Sequence, residues 1–211
     1  NQLTSLDVSN NTALQLLQCH ANQLTSLDVS NNTALTILNC QGNPLTSLDV
    51  SQNTALTTLT CYVTQLTSLD LSNNTALNMI ICSDNPLTSL NVRNGNNSSI
   101  IFFKADLCYS LTCIEVDNPI YSNNNWTYID SWASFSVDCS PSLTYVPDDY
   151  FEAYLEANGM GNGIANDDYV FTQAVDTVTL LEIPSGQVVG GAIWDLTGIE
   201  DFTNLTHLIL T

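Results

Sequence analysis

The chain has 211 residues, enough for one or two domains with a sizeable core. Only two residues are basic, Arg93 and Lys104, against 21 acidic ones, and the net charge is -19. Such a balance excludes a nucleic-acid binder, whose partner's phosphates need cations, and disfavours anionic membrane surfaces.

From its first residue the chain repeats itself. Asn1 to Ala21 reads NQLTSLDVSNNTALQLLQCHA, and near-copies open at Asn22, Asn43 and Thr64. A fifth copy opens at Asn85 and then decays. A fixed period near twenty residues predicts a solenoid, in which each unit buries its apolar face only against its neighbours. Within a unit the apolar positions are Leu3, Leu6, Val8, Leu14, Leu17 and Cys19. The short alternating segments Leu6 to Val8 and Leu17 to Cys19 read as two short strands per coil with little helix. The Asn-rich stretches between them suit turns.

The half-unit L14-x-x-L17-x-C19-x-x-N22-x-L24 resembles the leucine-rich repeat signature, with Cys in one Leu position. More narrowly, LTSLDVSNNTAL with one Cys per coil is similar to secreted leucine-rich repeat proteins of Bacteroidetes-type bacteria. The resemblance implies a mainly β leucine-rich repeat solenoid. It also implies a non-catalytic extracellular or cell-surface role in adhesion or recognition of protein or glycan.

The array is expected over residues 1–97, followed by a closing cap over 98–139. Aromatic residues dominate from Asp117 onward (Tyr121, Trp126, Tyr128, Trp132, Phe135) and read as a lid over the open end of the core. Cys19, Cys40, Cys61 and Cys82 recur at the repeat period. They should stack facing the core, as buried thiols acting as small hydrophobes. In the closing cap of the resembled family, Cys113 and Cys139 would form a disulfide, which suits an oxidising compartment. Cys108 has no evident place.

Residues 140–146 read as a linker. A second module follows over 147–195, opening with a short amphipathic helix in PDDYFEAYLEANG and continuing through strand-like segments near Val170 and Thr177 to Ile183. Over 196–211, LxxIxxFxxLxxLxL returns to leucine-rich patterning and resembles the opening cap and first coil of another array. Thr211 aligns with His20 of the repeat and Asn1 with Asn22, so one inserted residue would join the chain's end to its beginning in register. The sequence therefore suggests a segment of a longer multi-module surface protein. Two unrelated arrays in one secreted protein are the alternative.

No HExxH, GxSxG, P-loop or zinc spacing is present, so no enzyme is expected. No apolar run reaches the roughly 18 residues of a membrane span, so no membrane insertion is expected. The copies of the repeat can be compared with one another. Two columns vary freely: Gln18, Asn39, Thr60, Ile81, and His20, Gln41, Tyr62, Ser83. If Leu17 and Cys19 point inward, these columns point outward and form a candidate ligand surface, with drift at exposed positions as the competing reading. A third column, Leu16, Ile37, Thr58, Met79, also varies.

The other strand carries an acidic ladder, Asp7, Asp28, Asp49 and Asp70. Calcium between coils is the one cofactor its chemistry suggests. However, each coil supplies a single carboxylate where calcium takes six or more oxygens, so hydrated Asp bonded to Ser or Thr is the expected state. Asn162, Asp167 and Asp168 are a weaker calcium candidate without EF-hand spacing. The partners expected are a protein or glycan ligand or neighbouring copies of the chain. The alternative to recognition is a structural tandem-repeat spacer, stalk or filament subunit.

Overall fold

A computed structural model describes residues 1–140, 142–183 and 192–210. It divides into two compact units, Asn1–Cys139 and Ser140–Thr211.

The first unit is a β-solenoid with little helix. One parallel sheet runs along it through six strands: Leu16–Gln18, Ile37–Asn39, Thr58–Thr60, Met79–Ile81, Phe102–Ala105 and Tyr128–Ile129. The register is strict, with Leu17 beside Leu38, Leu38 beside Leu59 and Leu59 beside Ile80. A second parallel sheet holds four strands: Ser68–Asp70, Ser89–Asn91, Cys113–Glu115 and Ser134–Ser136. It starts later than the sequence suggested, because the equivalent segments of the first three coils (residues 5–7, 26–28 and 47–49) form no strands.

The core is made of stacked columns. Leu24, Leu45, Leu66 and Leu87 are fully buried, as are Leu35, Leu56 and Leu77. The Leu17 column continues as Leu38, Leu59, Ile80 and Phe103, all packed in the same cluster. Cys19, Cys40, Cys61 and Cys82 form the thiol column and are buried and free. Burial pushes their thiols up, to about 12 for Cys40, so they are protonated and unreactive at neutral pH.

Two asparagine columns tie the coils together, a role beyond the local turns read from sequence. In one, Asn32 Nδ2 donates to Val8 O and Asn11 O, each at 2.9 Å. Asn53 and Asn74 repeat this toward the coil before them. In the other, Asn43 Nδ2 donates to Cys19 O at 3.0 Å and Cys40 O at 2.9 Å, while its Oδ1 accepts from Leu24 N at 3.1 Å. These bonds satisfy buried backbone groups at the turns, where no strand partner is within reach.

The second asparagine column also explains Cys108. Phe102 pairs with Met79 and Lys104 with Ile81, which sets Ala105 opposite Cys82 and Cys108 opposite Asn85. Cys108 is buried, and its Sγ reaches Cys82 O and Asp106 O at 3.7 Å. It therefore ends the asparagine column as a weak donor, while Ala105 ends the thiol column. Just beyond, the Asp130 carboxylate accepts from Leu107 N at 3.0 Å and Cys108 N at 2.8 Å, closing the ladder of backbone groups.

The expected aromatic lid is divided. Trp126 and Phe135 are buried, with Trp126 stacked on Phe103 at 4.4 Å and edge-on to Phe135 at 5.6 Å. A short helix, Pro119–Asn125, capped by Asn118, supports them. Tyr128 and Trp132 are exposed and seal nothing. The Cys113–Cys139 disulfide implied by the family resemblance is present.

In the second unit, the helix Asp149–Ala157 is capped by Asp148, whose carboxylate accepts from Tyr150 N and Phe151 N. Phe151 and Leu155 face a core with Val170, Val175, Leu181, Ile183 and Phe202. The Glu152 carboxylate is buried and accepts from the amides of Asp167 and Asp168. Leu143–Tyr145, read from sequence as linker, forms a strand antiparallel to Tyr169–Phe171. Alternation of Leu143, Thr144 and Tyr145 around a buried Thr144 is the signal for it, masked by the neighbouring Ser and Pro. Leu180–Ile183 pairs in parallel with His207–Leu210. Thr206 N and His207 N both donate to Thr179 O, the same pattern by which Thr36 N and Ile37 N donate to Gln15 O between coils of the array.

Candidate interaction face

Side chains alternate across a strand, so burying Leu17 sends both Leu16 and Gln18 to the outer face of the six-strand sheet. In register, that face carries Leu16, Ile37, Thr58, Met79 and Phe102 in one column. The next column carries Gln18, Asn39, Thr60, Ile81, Lys104 and Tyr128. Six strands about 4.8 Å apart give a face about 24 Å across.

The candidate residues read from sequence fall unevenly on this face. Gln18 is exposed, and Asn39 and Ile81 are half-buried on the sheet. Thr60 is buried between them in register, so it offers little surface. His20, Gln41, Tyr62 and Ser83 lie two residues past the strand ends, in the turn. There His20 is exposed and Gln41 and Tyr62 are half-buried. Ser83 is buried, and its hydroxyl has no hydrogen-bond partner among the described residues. Thr60 and Ser83 therefore do not belong to an accessible surface; stacking of adjacent coils covers them.

The column that completes the face is Leu16, Ile37, Thr58, Met79 and Phe102. Its free variation was visible in the sequence. Its placement beside the Gln18 column follows from the two-residue period around Leu17. Phe102 and Tyr128 touch at 5.8 Å and add an aromatic end to the face.

The other side of the coil is uniform. Ser5, Ser26, Ser47, Ser68 and Ser89 are exposed at one position, and Asp7, Asp28, Asp49 and Asp70 at another. Each Asp accepts at Oδ1 from the amide of the Ser two residues on, at 2.8 to 2.9 Å. The Ser9 hydroxyl and amide hold Asp7 below the usual carboxylate value, Ser30 does the same for Asp28, and the Ser51 amide and hydroxyl do so for Asp49. A carboxylate depressed in the fold stabilises it above its unfolded pKa, and that contribution is lost as the pH falls through the folded value. We therefore expect carboxyl-carbon NMR titrations of these three residues to give midpoints under 3.8, and Ser30→Ala to raise that of Asp28.

Among the described residues, no three His, Cys, Asp or Glu side chains converge as a metal site would require. The Glu156 carboxylate accepts from Asn162 N and Gly163 N, and Asn162 Nδ2 donates to the Asp167 carboxylate at 3.0 Å. Among the described residues no helix is long and apolar enough to cross a membrane.

Neither a family model nor a curated relative matches the chain. Solved structures similar to it include the functional domain of InlJ from Listeria monocytogenes, which includes a cysteine ladder. That match is at 34% identity and TM-score 0.49, covering 55% of this chain and 28% of that one. The internalin InlF from Listeria monocytogenes matches at 24% identity and TM-score 0.43, covering 62% and 38%. The leucine-rich repeat domain of APL1B matches at 21% identity and TM-score 0.44, covering 64% and 46%. The chain thus spans less than half the length of each. It is a β-solenoid whose structural neighbours are leucine-rich repeat proteins.

Proposed function

We propose that this chain is a non-catalytic recognition module of a bacterial cell-surface or secreted protein, and that it binds a protein partner through the outer face of its six-strand sheet. One observation carries the reading: the repeats are constant where they face the core or the Ser–Asp side, and varied where they face outward from this sheet. Leu, Ile, Thr and Met occupy one position, and Gln, Asn, Thr and Ile the other. Apart from Lys104 toward one end, the face mixes apolar and uncharged polar side chains on a rigid frame, which suits a protein interface, whose centre is poor in charge. The Cys113–Cys139 disulfide and the acidic composition agree with a role outside the cell. The near-identity of the repeats has a sufficient cause in the stacked leucine, cysteine and asparagine columns and needs no spacer role to explain it.

The test is a screen of the chain against arrayed secreted proteins and glycans, repeated with an Ile37→Ser, Met79→Ser double variant. We expect protein hits that weaken at least tenfold in the double variant while the melting temperature holds. Hits that are unchanged in the variant would overturn the proposed face; hits confined to glycans would replace the proposed partner class.

A further inference from the structure

The cap carries an aromatic pair that the core does not use. Tyr109 is 71% exposed and Trp132 47%, and their rings lie near-parallel with centroids 6.0 Å apart. Tyrosine and tryptophan rings, apolar with one polar atom, are enriched at binding surfaces. Tyr109 also lines a shallow groove with Pro86, Leu107, Ser110 and Asp84. The Asp130 carboxylate grips the amides of Leu107 and Cys108 and so fixes the loop that presents Leu107 and Tyr109. Leu107 sits at φ +59 and is itself largely exposed. The groove is thus walled by the exposed apolar Pro86 and Leu107, backed by the buried polar Thr64 and Asn85, aromatic at one side and edged by the exposed carboxylate of Asp84.

Charge selects the occupant. The chain has 21 acidic and two basic residues, and one of the two, Lys104, lies 3.6 Å from Asp106. A cation held against Tyr109 gains from the ring face and from Asp84 together. An apolar stem ending in a cation matches arginine, whose methylenes would cover Leu107 and Pro86 while the guanidinium meets the ring and the carboxylate. We infer that the Tyr109–Trp132 pair and the adjoining groove form a second docking site, which takes an arginine-bearing segment of a protein partner. This site lies in the cap and stands or falls independently of the sheet face.

The test uses the full chain, the peptide Ac-Gly-Arg-Gly-Arg-Gly-NH2 as probe, and the three indole N–H signals from Trp126, Trp132 and Trp194 read by NMR. The Trp132 signal should shift saturably while that of buried Trp126 stays, and binding should weaken as salt rises. Asp84→Asn keeps a residue that tolerates the left-handed backbone at φ +53, and should weaken the peptide roughly two- to fivefold. Tyr109→Ala, at an exposed side chain, should do the same. Equal shifts with a Gly-Gln-Gly-Gln-Gly peptide, or a response to a neutral oligosaccharide but not to the arginine peptide, would overturn the inference.

Discussion

Asn43→Ala should destabilise the first unit by roughly 3–5 kcal/mol, more than any surface substitution in the array. The side chain is buried and serves Leu24 N, Cys19 O and Cys40 O, with a longer bond to Gln41 O at 3.4 Å. Alanine leaves Leu24 N and Cys40 O unpaired, each at a cost of about 1–3 kcal/mol, while Cys19 O keeps its bond from Asn22 Nδ2 and entering water recovers part of the loss. Gln41→Ala, two residues away and half-buried in the turn, should change stability by less than about 0.5 kcal/mol. Urea unfolding of the two variants measures the contrast. Equal midpoints would mean that the apolar columns alone hold the coils. Because coils in a solenoid contact only their neighbours, the Asn43 variant should also loosen the first two coils before the rest. Hydrogen exchange would show this as early loss of protection at Cys19 N and Ala21 N, which bond to the second coil.

The second large effect belongs to the cap. Trp126→Ala should cost about 3–5 kcal/mol, the range for removing a large buried ring. Trp126 stacks on Phe103, meets Phe135 and Tyr121 edge-on, and donates from Nε1 to Ile100 O at 3.4 Å. Its loss uncovers Phe103 and Ile100, the last members of two core columns. The Cys113–Cys139 disulfide still tethers the cap, so the expected state is a loosened lid that binds hydrophobic dye, not a detached one. Trp132→Ala removes an equally large ring but should leave the melting temperature within a degree or two, since that ring seals nothing. A calorimetric scan of both variants separates the two kinds of aromatic in the cap.

Much of this was legible in the sequence. The 21-residue period specifies stacked coils, and alternation around Leu17 specifies which side chains face inward. The thiol column follows from Cys recurring at the same step. The capped helix at Asp148 was legible because Pro-Asp-Asp, Phe151 and Leu155 mark its start and its buried face.

What stayed hidden depends on contacts between coils. An asparagine in a turn looks the same whether its amide serves its own loop or the coil beside it, so Asn32, Asn43, Asn53 and Asn74 read as local turn residues. Thr60 and Ser83 read as outward because their columns alternate with the inward Leu and Cys columns; their burial comes from neighbouring coils, which periodicity does not report. Cys108 could not be placed because the fifth coil is longer: Asn85 to Cys108 is 23 positions, against 21 from Asn22 to Asn43. Only strand register reveals that a cysteine stands in an asparagine column. The aromatic residues of the cap shared one compositional signal although Trp126 is buried and Trp132 is not, and burial is what separates lid from platform.

Recognition is proposed to take place on the varied face of the six-strand sheet. Methyl NMR of the chain with a partner taken from the protein array tests it most directly. Lines from Leu16, Ile37, Met79 and Ile81 should shift together on titration, while those of the buried Leu24, Leu45 and Leu66 stay in place. Shifts confined to residues beside the Ser–Asp columns, with these four unmoved, would contradict it.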